Sequence, residues 1–259
     1  MNETKTSETI DAFHFGAFHV VQPNGMGHRS GMDAMLLASL VNSDRPIKVA
    51  DLGAGAGAAG LAVASRLPDA SIVLVERVPE MADYARKTLA LSQNALFNNR
   101  ATVLETDVTL SGKARLAAGL LDNHFDYVIM NPPFNEPKDR ATPDPLKAQA
   151  HLLTDKLFES WIRTACAIIK PNGQLSLIAR PHSISEIISA CGKRFGGLEI
   201  TSLHPRPGEN AVRILVTGIK GSKARLQLRA PLTMHGAEGH KFSSEVDDYN
   251  NGRKGYQRR

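Results

Sequence analysis

Cysteine is nearly absent from this 259-residue chain. Cys166 and Cys191 are the only two, with no Cys-x-x-Cys and no histidine pair beside them. That excludes a disulfide framework and a thiolate zinc site, and no metal is expected. Both lie in apolar, helix-like stretches and are expected to be small buried core residues. Also missing is any apolar run near the ~20 residues that cross a bilayer. The opening Met-Asn-Glu-Thr-Lys-Thr-Ser-Glu has no basic stretch followed by an apolar one. Neither a membrane partner nor a secretory signal is expected, and the default location is cytoplasmic. No internal repeat is found.

What is there suits one large α/β domain with a substantial core: 42% hydrophobic and 22% charged residues over this length. Residues 1–24 read as a tail with short strands, of which 1–12 are expected to be mobile, and 25–259 as the single domain. The net charge of +5 fits a polyanionic partner. Its distribution points the same way. Lys138, Arg140 and Lys147 occupy a proline-rich loop, Lys220, Lys223, Arg225 and Arg229 form a second group, and Arg253, Lys254, Arg258 and Arg259 a third. The first two groups, up to Arg225, are the candidate nucleic-acid contacts.

From residue 47 strands and helices alternate. Strands are expected at 47–52, 71–76, 101–106, 125–130, 174–179, 198–203 and 212–219, the last two ending the sheet. Helices are expected at 31–41, 58–67, 79–96, 146–169 and from 183, where Ser183-Ile184-Ser185-Glu186 matches a capping box. Apolar strands with little alternation, separated by helices, indicate a mostly parallel sheet covered on both faces. Such a fold holds its ligand at the carboxyl ends of the strands.

The chemistry-bearing residues fall at those ends. Asp51-Leu52-Gly53-Ala54-Gly55-Ala56-Gly57 leaves the first strong strand for a helix. Glycines allow the sharp turn and the close approach of a ligand. Read from Gly53 the spacing is G-x-G-x-G, which differs from the dinucleotide fingerprint. A carboxylate at Asp51 would repel a pyrophosphate and suits a cationic ligand, such as the sulfonium and ammonium of S-adenosylmethionine. Glu76 ends the next strand, where a carboxylate can accept from ribose hydroxyls. Asp107 ends the third, where it can accept from an adenine amino group.

Asn131-Pro132-Pro133-Phe134 follows the fourth strand directly. Two prolines fix the backbone and remove two donors. The Asn131 side-chain oxygen and the Pro132 carbonyl can then accept both hydrogens of an –NH2 group. The lone pair of an exocyclic amine is delocalised into its ring. Two acceptors favour a pyramidal nitrogen and free that pair for in-line methyl transfer, the mirror image of an oxyanion hole. Phe134 can stack on the target base.

These residues resemble the ordered motifs of class I S-adenosylmethionine-dependent methyltransferases with an N-P-P-[FY] signature. Gly27 to Leu37, Asn210-Ala211-Val212-Arg213 and Phe242-Ser243-Ser244-Glu245 are similar to segments of bacterial valine-tRNA adenine-N6 methyltransferases. The resemblance implies a Rossmann-like, mostly parallel seven-stranded sheet with a late antiparallel strand. It implies S-adenosylmethionine as cofactor, held by Arg29, Gly31, Asp33, Asp51, Gly53, Gly55, Gly57, Glu76, Arg77, Asp107, Val108 and Asn131. The implied reaction is methylation of adenine N6 in tRNA, 3′ of the anticodon. The alternatives are guanine N2 of rRNA, a protein glutamine amide, or a non-catalytic RNA-binding module.

Overall fold

The computed structural model describes residues 8–24, 30–133 and 157–258. Glu8–Phe13 (β1) and Phe18–Pro23 (β2) form an antiparallel hairpin. The expected mobile tail is thus corrected for residues 8–12, which are strand. β1 is only half-buried on one face, so its own pattern is weak, and its partner decides its state. Two buried side chains hold β2. Asn94 accepts from the His19 N–H at 2.9 Å and donates to its carbonyl at 2.7 Å, and the Thr88 hydroxyl accepts from the Val21 N–H at 2.9 Å.

Met32–Ser39 (α1) leads into the alternating body. Its elements are Ile47–Leu52 (β3), Ala58–Arg66 (α2), Ala70–Glu76 (β4), Pro79–Ala90 (α3), Ala101–Glu105 (β5), Gly112–Ala117 (α4) and Phe125–Met130 (β6). Leu157–Ile168 (α5), Ile169–Ala179 (β7), Ile184–Cys191 (α6), Phe195–His204 (β8) and Arg213–Lys220 (β9) follow. Beyond the expected last strand come Gln227–Leu228 (β10), Leu232–Thr233 (β11) and Ser244–Asn250 (α7).

The sheet order is β10-β8-β9-β7-β6-β3-β4-β5, with β11 also on β8. β3 to β7 run parallel, and β9 lies antiparallel to both β7 and β8. Seven long strands with a late antiparallel one form the expected doubly wound sheet, and β10 and β11 extend its edge by two residues each. Successive residues of β6 alternate faces: Ile129 packs with α1, α2 and α3, whereas Val128 and Met130 pack with α5 and α6. Both faces are therefore dry, which is why the strands read as apolar runs.

Three local expectations are corrected. The helix expected over 79–96 stops at Ala90: Leu91 is extended (φ −61°, ψ 135°), and a 3-10 segment over Ser92–Phe97 follows. Buried Asn94, bonded to the Thr88 carbonyl at 2.7 Å, holds that tighter turn. The capping box at Ser183 is not made. Ser183 already has helical backbone (φ −81°, ψ 0°) after a short 3-10 turn, so its side chain is not placed to cap. α4 was not expected, because six residues starting at a glycine carry little periodicity.

The basic C-terminal group is committed within the chain as far as Arg258, and Arg259 lies outside the described residues. Arg253 and Lys254 pair with Asp247 and Asp248 on α7. Arg258 donates to the Thr217 hydroxyl and the Gly197 carbonyl, each at 2.5 Å, and Arg229 pairs with buried Glu199 at 2.6 Å. Among the described residues no helix is long and apolar enough to cross a membrane.

Candidate active site at the carboxyl rim

Register brings the motifs together. Leu52 of β3 lies opposite Met130 of β6 on one side and Val75 of β4 on the other. Gly53, Glu76 and Asn131 therefore leave three adjacent strands within one residue of the same level. Asp107 follows β5 slightly higher, because Glu76 pairs with Glu105.

The glycine loop closes on itself before it meets any ligand. The N–H groups of Gly53 and Ala54 both donate to the Val75 carbonyl, at 2.8 and 3.0 Å. Gly53, Gly55 and Gly57 all have positive φ (72°, 56° and 94°). At Gly53 a Cβ would also stand 2.5 Å from Cη2 of Trp161, which packs up from α5. Gly53→Ala thus combines left-handed strain with overpacking and should cost about 1–2 kcal/mol. Thermal melts check it. Trp161→Phe, which removes the outer ring, should restore part of the loss in the double variant, and no restoration would leave backbone strain as the whole effect.

Gly60 was missed. Counted from Gly55 instead of Gly53, glycines 55, 57 and 60 do fall at G-x-G-x-x-G, so the spacing by itself does not separate this loop from a dinucleotide site. The third glycine sets helix against strand: a Cβ there would lie 2.4 Å from Leu74 Cδ2 and 2.9 Å from Ile72 Cγ2. The charge argument survives the recount. Asp51 is buried, and its Oδ2 accepts from the Gly60 N–H at 2.8 Å. A carboxylate therefore stands at the first turn of α2, the place where a pyrophosphate would need free donors.

Burial pushes the Asp51 carboxyl up to about 7. The Gly60 N–H pulls against that rise and the Glu76 carboxylate adds to it. Glu76 is tied to backbone on both oxygens: Oε2 accepts from the Gly55 N–H at 2.9 Å, and Oε1 from those of Arg77 and Val78 at 2.8 and 2.9 Å. This ring of donors fixes the carboxylate at the loop's edge. Asp107 Oδ1 accepts from the Thr109 N–H at 2.7 Å, while Oδ2 lies 3.8 Å from exposed Arg77. Val108 is buried beneath it.

Asn131 carries the most telling feature. Its Oδ1 is buried and accepts no hydrogen bond among the described residues, whereas buried acceptors in folded proteins are nearly always satisfied. The oxygen is held ready for a donor that the described residues do not supply. Pro132 is buried and Pro133 exposed.

Gly31 precedes α1, and Asp33 in its first turn pairs with Arg213 at the start of β9, Oδ2 to Nε at 2.8 Å. Residues 180 positions apart meet here, a contact that no spacing could reveal. Arg29, Phe134, Lys138, Arg140 and Lys147 lie outside the described residues. Lys220, Lys223 and Arg225 are not brought to this rim. β9 runs antiparallel, so its end at Lys220 pairs with Phe195 at the start of β8, on the opposite edge.

The site fits a cationic nucleoside cofactor with an amine acceptor. Asp51, Glu76 and Asp107 are acids one to a strand end, the glycines keep side chains out of the loop, and Asn131 offers an unused acceptor.

Comparison with known proteins agrees. Residues 18–202 match the methyltransferase small domain family. A tRNA1(Val) (adenine(37)-N6)-methyltransferase of Porphyromonas gingivalis is 28% identical over 210 residues, 79% of each chain. A crystal structure described as a predicted O-methyltransferase, from Agrobacterium tumefaciens, is 59% identical with a TM-score of 0.77, covering 87% of this chain and 99% of that one. A T. thermophilus 16S rRNA N2 G1207 methyltransferase, solved with AdoMet and guanosine, shares the fold at 20% identity and TM-score 0.53, over 83% of this chain and 50% of its own.

Proposed function

Because the chain belongs to the methyltransferase small domain family and S-adenosylmethionine is its cofactor, we propose that it methylates an exocyclic amino nitrogen, adenine N6 of tRNA being its target. The unsatisfied, buried Asn131 Oδ1 carries this reading. An –NH2 group brings two protons, and an Asn-Pro pair offers two neutral oxygens. A hydroxyl brings one proton and needs a base to take it, so the arrangement matches nitrogen better than the oxygen acceptor named for the Agrobacterium relative.

S-adenosylmethionine supplies an electrophilic methyl group on a sulfonium. Asp51, Glu76, Asp107 and the loop from Gly53 to Gly57 are the residues that would hold it. Asn131 orients the amine and draws on its N–H bonds, so the nitrogen lone pair turns out of conjugation. No strong base is required, since the methylated ammonium is acidic enough to lose its proton to water afterwards. Buried Pro132 keeps the strand end rigid. The names of the Porphyromonas relative and others like it support tRNA adenine as the acceptor.

The test is transfer of tritiated methyl to total tRNA and total rRNA from cells lacking this gene, with nucleoside mass spectrometry. N6-methyladenosine in tRNA is expected. Label in N2-methylguanosine of rRNA or on a ribose oxygen, or no label in either RNA, would overturn the tRNA reading.

A further inference from the structure

Five cations gather at the opposite edge of the sheet. Arg45 precedes β3, Lys48 is its second residue, and Lys220 ends β9. Lys223 and Arg225 follow in the segment whose Ala224 carbonyl accepts from the Gly197 N–H at 2.8 Å, near the start of β8. At this edge opens a cleft of about 360 Å³ lined by Arg45, Asp126, Tyr127, Lys170, Asn172 and Ile219, which precedes Lys220, among others. It stands about 20 Å from the reaction site, the length of a six-residue strand.

Charge balance favours this edge. Many basic side chains elsewhere are cancelled, Arg213 by Asp33, Arg229 by Glu199, Arg194 by Glu159, and Arg253 and Lys254 by Asp247 and Asp248, while Arg163 and Arg206 stand singly on carbonyls. Here Lys220 is held by neutral acceptors, the Asn123 side chain at 2.8 Å and the Ile169 carbonyl at 2.7 Å, so its charge stands uncancelled. Lys48 Nζ has a histidine beside it, His124 Nε2 at 3.5 Å. Asp126, the carboxylate in the cleft, is taken up by Lys170 at 3.0 Å through both oxygens and by the Lys48 N–H at 2.9 Å. Burial first, then Lys48 and Lys170, hold the His124 imidazolium below its usual range, against the opposing pull of Asp126. Asp44, Asp69 and Asp122 are the exposed acids nearby, Asp122 being paired with Arg115, and they are fewer than the five cations.

We propose that this edge is a second contact for the RNA substrate, gripping backbone phosphates remote from the methylated nucleotide. The inference rests on RNA being the substrate. A carbonyl-held cation keeps its charge available to phosphate, and a concave, positive cleft concentrates a polyanion's field. Sequence readout is not needed there. Such contacts position a long RNA and add affinity.

The experiment compares a full-length tRNA transcript with a short stem-loop that reaches only the reaction edge. The variant is Arg45→Glu/Lys223→Glu/Arg225→Glu, all at exposed positions. Affinity for full-length RNA should fall at least about tenfold, and its dependence on log salt should become shallower by about 2. Affinity and kcat for the stem-loop, and affinity for S-adenosylmethionine, should not change. Lys223→Gln/Arg225→Gln should give an intermediate loss, guarding against misfolding of the charge reversal. Unchanged full-length affinity in the triple variant overturns the inference, as does an equal loss on the stem-loop. Binding of both RNAs without methylation of either by the wild type would instead sink the proposed function, and the cleft would stand or fall on the triple variant's affinity alone.

Discussion

Asn131→Ala is expected to lower kcat by about 10²- to 10³-fold while leaving affinity for S-adenosylmethionine within about threefold. Removing one preorganised partner of developing charge has this order of cost. The wild-type Oδ1 is buried and bonds to nothing among the described residues, so its loss breaks no hydrogen bond there and should leave the fold intact. The deficit should appear in kcat, not mainly in the KM for RNA, because the contact strengthens as the nitrogen becomes pyramidal. Asn131→Asp tests the chemistry further. It keeps the oxygen, adds a charge and removes the amide donor, and should recover part of the rate. Calorimetry with the cofactor and single-turnover methyl transfer separate the two quantities. If cofactor affinity and rate fell together by the same factor, Asn131 would belong to the cofactor's binding set, and the amine-activation role would be lost.

The second large effect concerns Asp51 and pH. In the ligand-free enzyme burial raises this carboxyl to about 7, above the ordinary 3.8 it regains on unfolding. A raised acid contributes its stability below the unfolded value and loses it as pH climbs through the folded one. Ligand-free stability should therefore decline from about pH 4 to pH 7 and level off above. Cofactor binding runs the other way. A cationic ligand near Asp51 favours the carboxylate, so affinity should strengthen about fivefold from pH 6 to pH 7, about tenfold from pH 6 to pH 8, and flatten beyond. Binding should release a proton, visible as a dependence of calorimetric heat on buffer. Asp51→Asn keeps an acceptor for the Gly60 N–H and removes the charge. It should be the more stable protein at pH 8 without ligand, yet bind the cofactor on the order of 50-fold more weakly there. Its affinity should lose the Asp51 part of the pH response, and any slope that remains belongs to the cofactor's own ammonium. A wild-type affinity with the same pH response as the variant would show that Asp51 carries no ionisable role.

Much of the fold was legible because the central strands are buried on both faces. Apolar runs such as Ile72 to Val75 and Val128 to Met130, bounded by turn residues, have few other uses. The ends of elements were less legible. The break at Leu91 depends on Asn94 reaching back to β2, and β1 depends on pairing with a strand whose own backbone is held by side chains more than 60 residues away. Gly60 was legible in principle, through its spacing from Gly55 and Gly57. Trp161 was not, because the helix carrying it meets the glycine loop only after the sheet has formed.

The order of strand, glycine loop, acid, acid and Asn-Pro-Pro was settled by the chain's own chemistry. Each of these residues sits where its strand ends, and parallel connection places those ends on one edge. Which surface charges remain active was settled by tertiary structure alone. A lysine or arginine reads alike in sequence whether a carboxylate waits for it or not. Folding cancelled the C-terminal group against Asp247, Asp248 and Glu199 and left Lys220 on neutral oxygens. It also turned β9 antiparallel, which carried Lys220, Lys223 and Arg225 to the far edge of the sheet. Electrostatic partnership is a property of distance across the fold, and distance along the chain does not encode it.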